Sequence, residues 1–263
     1  MRDGLTAEAS AGVLAAAALA VVDMSEGRLD GSIIGMRHAI AQLEALGDDY
    51  GAVTLSAIVP IFQGIGGDFD AAIEESRAAT RAARALGNPT ALVTALYAEG
   101  LAHVEDDPAH ALAAFDESLA LTAAGASDIV YGEIQEQSIR LRTILGDLRG
   151  AVEALRTGFE YAIGEASNVT TSTILWYGLE ALVPYGELEL SATLFGAVGD
   201  GGALASMLNA IVGPQALRNA QARAQAREAL GADRFDELVA RGATMTYDEV
   251  VAFARRELER VIA

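Results

Sequence analysis

Three histidines are the residues of this chain best suited to acid–base catalysis or metal binding: His38, His103 and His110. None belongs to a His-Glu-x-x-His pattern, which would place two zinc ligands and a general base on one helix face. His103-Val104-Glu105 imitates the His-x-Glu of zinc deaminases, but those enzymes also need a cysteine pair, and this chain has no cysteine. We therefore interpret the histidines as packing or surface residues and predict no metal site.

Other patterns for covalent or phosphate chemistry are missing. All 18 basic residues are arginine, so no phosphate-binding loop of the Gly-x-x-x-x-Gly-Lys-Ser/Thr type exists. No Gly-x-Ser-x-Gly elbow occurs, and the run Gly64–Gly67 lacks the spacing of a dinucleotide-binding loop. We predict no cofactor and a non-enzymatic role. One enzymatic alternative stays open, in which the carboxylates of Glu133 and Glu180 act together with Arg140.

The elements that must position these residues repeat at a period of roughly 40 residues. An acidic or glycine-containing turn is followed each time by an alanine-rich amphipathic helix. The turns are Gly27–Asp30, Gly67–Asp70, Asp106–Ala109, Gly146–Arg149 and Tyr185–Leu188. Each copy closes about 20 residues later at a second turn. A fixed period of this size is typical of stacked helical hairpins, in which each repeat contacts only its neighbours.

The period predicts five hairpins over residues 1–198 and a continuous helical cap over residues 199–263. The first helices of the hairpins are predicted over Thr6–Met24, Asp49–Ile65, Pro89–Val104, Asp128–Leu145 and Val169–Tyr185. The second helices are predicted over Asp30–Leu46, Asp68–Leu86, Pro108–Ala123, Leu148–Ile163 and Glu187–Val198. The cap follows a Gly199–Gly202 loop, and its helices are predicted over Ala203–Val212, Pro214–Leu230, Ala232–Arg241 and Thr246–Val261.

Capping residues support these boundaries. Asp30, Asp68 and Asp107 can accept backbone N–H groups at helix N-termini. Gly47 and Gly87 suit left-handed C-caps, because glycine adopts positive φ without steric cost. The aspartates and glycines therefore predict where three of the second helices begin and where two of them end.

Three further segments carry local predictions. Pro60 lies within a predicted helix and predicts a kink or break there. The polar stretch Gln215–Arg227 is interpreted as a solvated capping helix, as expected at the end of a repeat array. Thr246-Tyr247-Asp248-Glu249 has the pattern of a capping box at the start of the last helix.

Composition limits the class of partner and the location. The net charge is −19, so we expect no direct binding to nucleic acid or to an anionic membrane surface. The lack of cysteine excludes disulfides and fits a cytoplasmic protein. The apolar run Ala11–Val22 is too short to span a membrane and lacks a basic leader, so we interpret it as part of the first helix.

The second helices resemble those of tetratricopeptide repeats. Phe69–Ser76 and Ala111–Ala120 match the small packing positions of that motif, and Ala98–His103 resembles the first-helix motif. The spacing is longer than the usual tetratricopeptide period and the first-helix tryptophan is absent, so the repeats are divergent. The resemblance implies an all-α, right-handed superhelical stack whose first helices line a concave surface.

Aligning the hairpins makes Tyr97, Gln137 and Tyr177 equivalent first-helix positions. Positions i, i+4 and i+7 share one helix face, so the resemblance implies a concave groove with aromatic anchors and mixed charge. The candidate groove residues are Tyr97, His103, Glu133, Glu136, Gln137, Arg140, Trp176, Tyr177 and Glu180. An alternative stays open, in which the polar residues face water and Trp176 packs between hairpins.

The C-terminal part carries a more specific resemblance. Ala192–Ala197, Ala229–Phe235 and Ala240–Ala254 are similar to the end of the helical-repeat region of large actinobacterial ATP-binding regulators. These are the LuxR-type and related signal-transduction ATPases, some of which are fused to adenylate cyclase domains. ATP and DNA binding do not transfer to this chain, because it has neither a phosphate loop nor a basic recognition helix after the repeats.

The resemblance implies a regulatory module that binds a protein segment or a small effector in the groove. It would pass the bound state to an ATPase, cyclase or helix-turn-helix domain, of the same polypeptide or of another. The chain is then either an excised region of a larger regulator or a stand-alone relative. The alternative function is a free-standing adaptor that scaffolds two proteins.

Overall fold

The computed structural model describes residues 2–25, 27–199 and 214–263, and all regular structure within them is helical. The helices are α1 (Arg2–Ser25), α2 (Leu29–Leu46), α3 (Asp49–Ser56), α4 (Val59–Ile65), α5 (Phe69–Leu86), α6 (Pro89–His103), α7 (Pro108–Ala123), α8 (Tyr131–Ile144), α9 (Leu148–Gly164), α10 (Asn168–Tyr185), α11 (Leu188–Val198), α12 (Pro214–Leu230), α13 (Ala232–Ala243) and α14 (Tyr247–Ile262). The all-α prediction is confirmed, whereas the helix predicted over Ala203–Val212 lies outside the described residues. No helix in the described ranges combines the length and the hydropathy needed to cross a bilayer.

Helices that are adjacent in sequence pack against each other within two compact units, Met1–Val130 and Tyr131–Ala263. In the first unit, α1 packs on α2, α5 on α6 and α6 on α7. In the second unit, α9 packs on both α8 and α10, α12 packs on α10 and α11, α13 packs on α11, and α14 packs on α9. The contacts among α5 to α7 and among α8 to α10 follow the order that successive hairpins require, whereas α12 and α14 pack back on α10 and α9. The division into repeats up to residue 198 and a cap beyond it stays a prediction.

Most of the predicted caps form, with one exception. Asp68 and Asp107 each accept a backbone N–H in the first turn of their helices, at 3.3 Å and 3.0 Å. Gly47 and Gly87 close α2 and α5 in the left-handed region, at φ of 74° and 71°. The prediction that Asp30 caps α2 is wrong. This aspartate lies inside the first helical turn, where its charge still favours the positive end of the helix dipole.

The break predicted at Pro60 and the capping box of the last helix are both confirmed. Helix α3 ends at Ser56 and α4 begins at Val59, so Pro60 occupies a first-turn position where no N–H is needed. At α14, the backbone N–H of Glu249 donates to Thr246 Oγ1 at 3.4 Å. In return, Glu249 Oε2 accepts the backbone N–H of Thr246 at 2.8 Å.

The first unit has a core of large side chains, among them Met36, Leu43 and Phe62, and in addition a seam of small ones. The second unit buries large residues, among them Leu155, Phe159 and Phe235. In the first unit, α5 and α6 meet along a seam of alanines, which we call the alanine seam. It consists of Ala79 and Ala83 of α5 and Ala91, Ala95 and Ala98 of α6, joined by Ala57 from the junction of α3 and α4. Small side chains let helices approach closely but remove little apolar area from water.

Helices α11 and α13 approach even more closely, at two glycines that we call the glycine crossing. A Cβ atom on Gly196 would overlap the carbonyl oxygen of Val239, and one on Gly242 would overlap the carbonyl oxygen of Thr193. Both obstacles are backbone atoms, so no change of rotamer could relieve the overlap. The crossing therefore depends on glycine in both helices.

Candidate functional site

The second unit holds seven of the nine candidate groove residues on two helices in contact, α8 and α10. Helix α8 carries Glu133, Glu136, Gln137 and Arg140. Helix α10 carries Trp176, Tyr177 and Glu180. Since each set spans less than three helical turns, the backbone of two helices positions all seven side chains.

Equivalent positions of consecutive first helices lie side by side. Gln137 Nε2 donates to Tyr177 Oη at 3.4 Å, and these two residues occupy the same position in the aligned hairpins. Arg140 Nη1 donates to Gln137 Oε1 at 3.5 Å. The charge of Arg140 also acts on the carboxyl of Glu180, its neighbour in the aligned set. The repeat register therefore identified real spatial neighbours.

Most of these side chains are interior rather than part of an open groove. Tyr177, Arg140 and Trp176 are 1%, 3% and 6% exposed. The rings of Trp176 and Tyr177 meet edge to face, with centroids 5.5 Å apart. Only Glu133 is exposed, and Glu136 is half-buried. This placement favours the packing role that the sequence left open for Trp176, and it leaves the N-terminal end of α8 as the accessible edge.

Helix α12 packs on α10 and supplies hydrogen-bond donors to Glu180 and Trp176. The sequence did not predict these contacts. Gln215 Nε2 donates to Glu180 Oε2 at 2.8 Å, and Arg218 Nε donates to the same oxygen at 3.1 Å. Asn219 Nδ2 donates to the carbonyl oxygen of Trp176 at 2.9 Å. The interpretation of this stretch as solvated is wrong for Gln215 and Asn219, which are buried. Their amides enter the interior because α10 supplies their hydrogen-bond partners.

The buried residues of α12 stand at a regular helical spacing. Gln215, Asn219, Ala222 and Ala226 succeed one another at intervals of four, three and four residues, and all four are buried. That spacing is the buried stripe of an amphipathic helix. Two members of the stripe are amides, so hydrophobic periodicity alone does not show it. We call the group formed with the two other helices the polar cluster. Its members are Gln137, Arg140, Glu180, Gln215, Arg218 and Asn219.

Burial makes the acidic groups of this region hard to ionise. Burial raises the pKa of Glu180 above its ordinary value, although Gln215, Arg218 and Arg140 oppose the rise. Burial likewise raises the pKa of the Tyr177 hydroxyl, and the negative charge of Glu136 adds to that effect. The polar cluster therefore holds a carboxylate whose charge depends on the donors around it, and α12 provides two of those donors.

Glu136 should make the stability of the second unit fall as pH rises. Burial, followed by the charge of Glu133, raises the pKa of Glu136 from 4.5 to about 8. Because the folded state then binds this proton more tightly than the unfolded chain, the stabilisation present below pH 4.5 is lost progressively up to pH 8. Glu136→Gln should leave stability at pH 4.5 unchanged and raise the free energy of unfolding at pH 8.5 by roughly 2 kcal/mol, discounted for partial exposure.

Urea unfolding at the two pH values checks this expectation. Glu165→Gln is the matched control, since that carboxylate is exposed in the same unit and is not among the groups that act on Glu136. A wild-type protein and a Glu136→Gln variant with the same change in unfolding free energy between the two pH values would contradict the assignment.

The two remaining candidates lie on α6 in the first unit. Tyr97 is half-buried, and its ring centroid lies 6.2 Å from that of Phe115. His103 is 1% exposed, its Nδ1 lies 3.2 Å from Asp106 Oδ1, and its ring packs on His110 with centroids 4.4 Å apart. Both side chains therefore take part in the packing of the first unit.

The polar cluster and helix α12 together form the candidate functional site of this chain. Within the described ranges, no group of three or more acidic or histidine side chains is arranged to hold a metal ion. No protein-family model matches this chain, and no curated protein matches it in sequence. The resemblance to ATP-binding regulators therefore stays a prediction, and the function is argued from this geometry.

Proposed function

We propose that this chain is a non-enzymatic regulatory module that binds a segment of a partner protein, or a small effector, at the surface of α10 that α12 covers, next to α8. In this proposal the hairpins form a right-handed, tetratricopeptide-like superhelix, and the polar cluster faces its concave side. The module would report its state to an ATPase, cyclase or helix-turn-helix domain, of the same polypeptide or of another. It would act in the cytoplasm, without a cofactor and without touching nucleic acid.

The observation that carries the proposal is the way α12 is attached. Among the α12 residues whose burial the structure describes, the buried apolar ones are Ala222 and Ala226, and Ala216 and Leu230 are partly buried; the neighbouring α13 buries Phe235 and Leu238. Because burial of apolar area is the main favourable contribution to helix packing, α12 is bound to the core more weakly than α13. Its specific contacts are hydrogen bonds, charge pairs and the contact of the Arg223 guanidinium with the Phe195 ring, and another polar segment that carries arginine can replace them.

The chemistry beneath α12 indicates what would replace it. Glu180 accepts from an amide and from a guanidinium, and the carbonyl oxygen of Trp176 accepts from a second amide. A competing segment must offer the same donors, since a buried carboxylate without them is costly. We therefore expect a helical partner segment that presents arginine together with asparagine or glutamine on one face.

Affinity capture of the tagged chain from its source organism, with identification by mass spectrometry, tests the proposal. An ATPase, cyclase or helix-turn-helix polypeptide should be recovered. An Arg218→Ala, Asn219→Ala double variant should recover several times more of it, because α12 then loses two of its attachments. Arg156→Ala, on the half-buried face of α9, serves as the control and should not differ from wild type.

Two results would count against this function. Recovery of the chain alone, or of unrelated proteins, would contradict the proposed relay, in which the module reports its state to an ATPase, cyclase or helix-turn-helix domain. Equal recovery of the partner by the wild type and by the Arg218→Ala, Asn219→Ala variant would show that α12 does not compete with the partner for the surface of α10.

The adaptor alternative is favoured by a separate observation, the division into two compact units. Each unit could present its own binding surface, as a scaffold for two proteins requires. An adaptor should capture two polypeptides that do not bind each other in its absence, whereas the relay should capture one. Mixing the purified candidates with and without this chain distinguishes the two functions.

A further inference from the structure

The first unit contains a cavity of about 330 Å³ between α5, α6 and α7. Three arginines of α5 line it: Arg77, Arg81 and Arg84. They stand at i, i+4 and i+7 and therefore share one helix face. A chain with a net charge of −19 thus gathers three of its 18 basic residues along one wall of a single cavity.

The acidic residues of the cavity are already engaged. Arg84 binds Glu117 in a bidentate pair, with Nη1 to Oε1 at 2.7 Å and Nη2 to Oε2 at 2.6 Å. Glu99 Oε1 lies 2.8 Å from His110 Nε2. Neither carboxylate pairs with Arg77 or Arg81, so these two guanidinium groups have no ion-pair partner in the cavity walls, whose three arginines and two glutamates leave a net positive charge.

Arg77 and Arg81 are unusual among the described arginines because they have no interaction partner. Among the arginines whose side chains the structure describes, Arg77, Arg81 and Arg156 alone make no ion pair, hydrogen bond or ring contact. Acidic residues outnumber basic ones by 37 to 18, so partners are plentiful elsewhere. Two guanidinium groups that face one cavity and have no ion-pair partner point to an anion supplied from outside.

The shape of the cavity defines that anion further. Successive arginines one helical turn apart can bracket a tetrahedral dianion from two sides, whereas a single carboxylate is satisfied by one guanidinium fork. Leu96 and Ala114, which are 2% and 6% exposed, supply an apolar wall for an organic group. A volume near 330 Å³ lies at the small end of ligand pockets, which suits a metabolite rather than a polymer segment.

We propose that this cavity binds a small phosphomonoester. The phosphate lies between Arg77 and Arg81, and the organic group rests on Leu96 and Ala114. The site lies wholly in the first unit, so it does not depend on the function proposed for the polar cluster of the second. It adds a small-molecule site to a chain that lacks a phosphate-binding loop, and it uses side-chain charge in place of backbone N–H groups.

Isothermal titration of the full chain tests the site, with phenyl phosphate as the probe and inorganic phosphate, succinate and phenol as comparisons. Phenyl phosphate should bind saturably, inorganic phosphate more weakly, and succinate and phenol not measurably. The double variant Arg77→Gln, Arg81→Gln should bind phenyl phosphate at least about tenfold more weakly, since each lost charge-assisted hydrogen bond costs roughly that factor. Arg156→Gln should bind as the wild type does, because it removes an equally unpaired arginine elsewhere.

Three results would overturn the proposal. These are no saturable binding of phenyl phosphate by the wild type, equal binding by the double variant, and succinate binding as tight as that of phenyl phosphate. Arg77 and Arg81 are exposed, so their replacement should leave the circular dichroism spectrum and the urea midpoint unchanged. A titration of the arginine Nε–H signals by NMR adds a direct measurement, since those of Arg77 and Arg81 should shift and that of Arg156 should not.

Discussion

Replacing Gly242 with alanine should destabilise the second unit by about 3 kcal/mol or more, which is at or beyond the upper end of overpacking effects in well-packed interiors. The added Cβ would overlap the carbonyl oxygen of Thr193 across the glycine crossing. Because that oxygen belongs to the backbone of α11, the two helices must separate. Separation would open the contacts that Phe195 and Phe235 make within the same core.

Gly164→Ala is the matched control for this prediction. Gly164 ends α9 in the same unit, and a Cβ there would meet nothing within 4 Å. The exchange should be neutral or stabilise by about 0.5–1 kcal/mol, since alanine loses less backbone entropy than glycine in a helix. Urea unfolding of both variants measures the difference. A Gly242→Ala protein as stable as the Gly164→Ala protein would show that α11 and α13 do not cross so closely.

The second large effect is expected from Glu180→Ala. This substitution removes the carboxylate that accepts from Gln215 and Arg218, and it removes a negative charge that acts on the buried guanidinium of Arg140. Removing one partner of a buried ion pair typically lowers the free energy of unfolding by about 3–5 kcal/mol. Burial raises the pKa of Glu180, which means that burying its charge is itself unfavourable. The expected loss of stability therefore comes mainly from the buried donors that no longer have an acceptor.

Hydrogen exchange separates a local from a global effect of Glu180→Ala. We expect the amides of α12 to lose protection first, because two of the helix's polar attachments end on this carboxylate. Glu133→Ala, on the exposed edge of α8, should change the free energy of unfolding by less than about 0.5 kcal/mol. Unchanged protection of α12 in the Glu180→Ala variant would mean that its alanines hold it in place, and the proposed exchange with a partner would lose its basis.

The helices could be predicted because turn chemistry and periodicity are local. Helix α7 begins and ends where Pro108 and Ala123 predicted, and Pro60 produced the expected break. The failure at Asp30 is local as well. The turn Gly27-Arg28-Leu29-Asp30 matches Gly67-Asp68-Phe69-Asp70, so the N-cap position is Arg28, the counterpart of Asp68, and not the aspartate two residues later.

The candidate site could be predicted only in part, because burial of polar groups depends on distant partners. Hairpin alignment brought Gln137 and Tyr177 together correctly. It could not show that Gln215 and Asn219 are buried, since their partners on α10 lie 35 and 43 residues earlier in the chain. An amide that is satisfied in the interior looks the same in sequence as one in water.

The alanine seam has a consequence for how this chain can vary over evolutionary time. Where a core of leucines tolerates exchange among aliphatic residues of similar volume, a seam of alanines has no larger neighbour to exchange with. Natural substitutions between α5 and α6 should be confined to glycine, alanine and serine, and serine already occupies the fully buried positions Ser76 and Ser118 of the same unit. Amino-acid substitutions in related sequences should therefore occur mainly on the outward faces of α5 and α6, while the distance between the two helix axes stays the same.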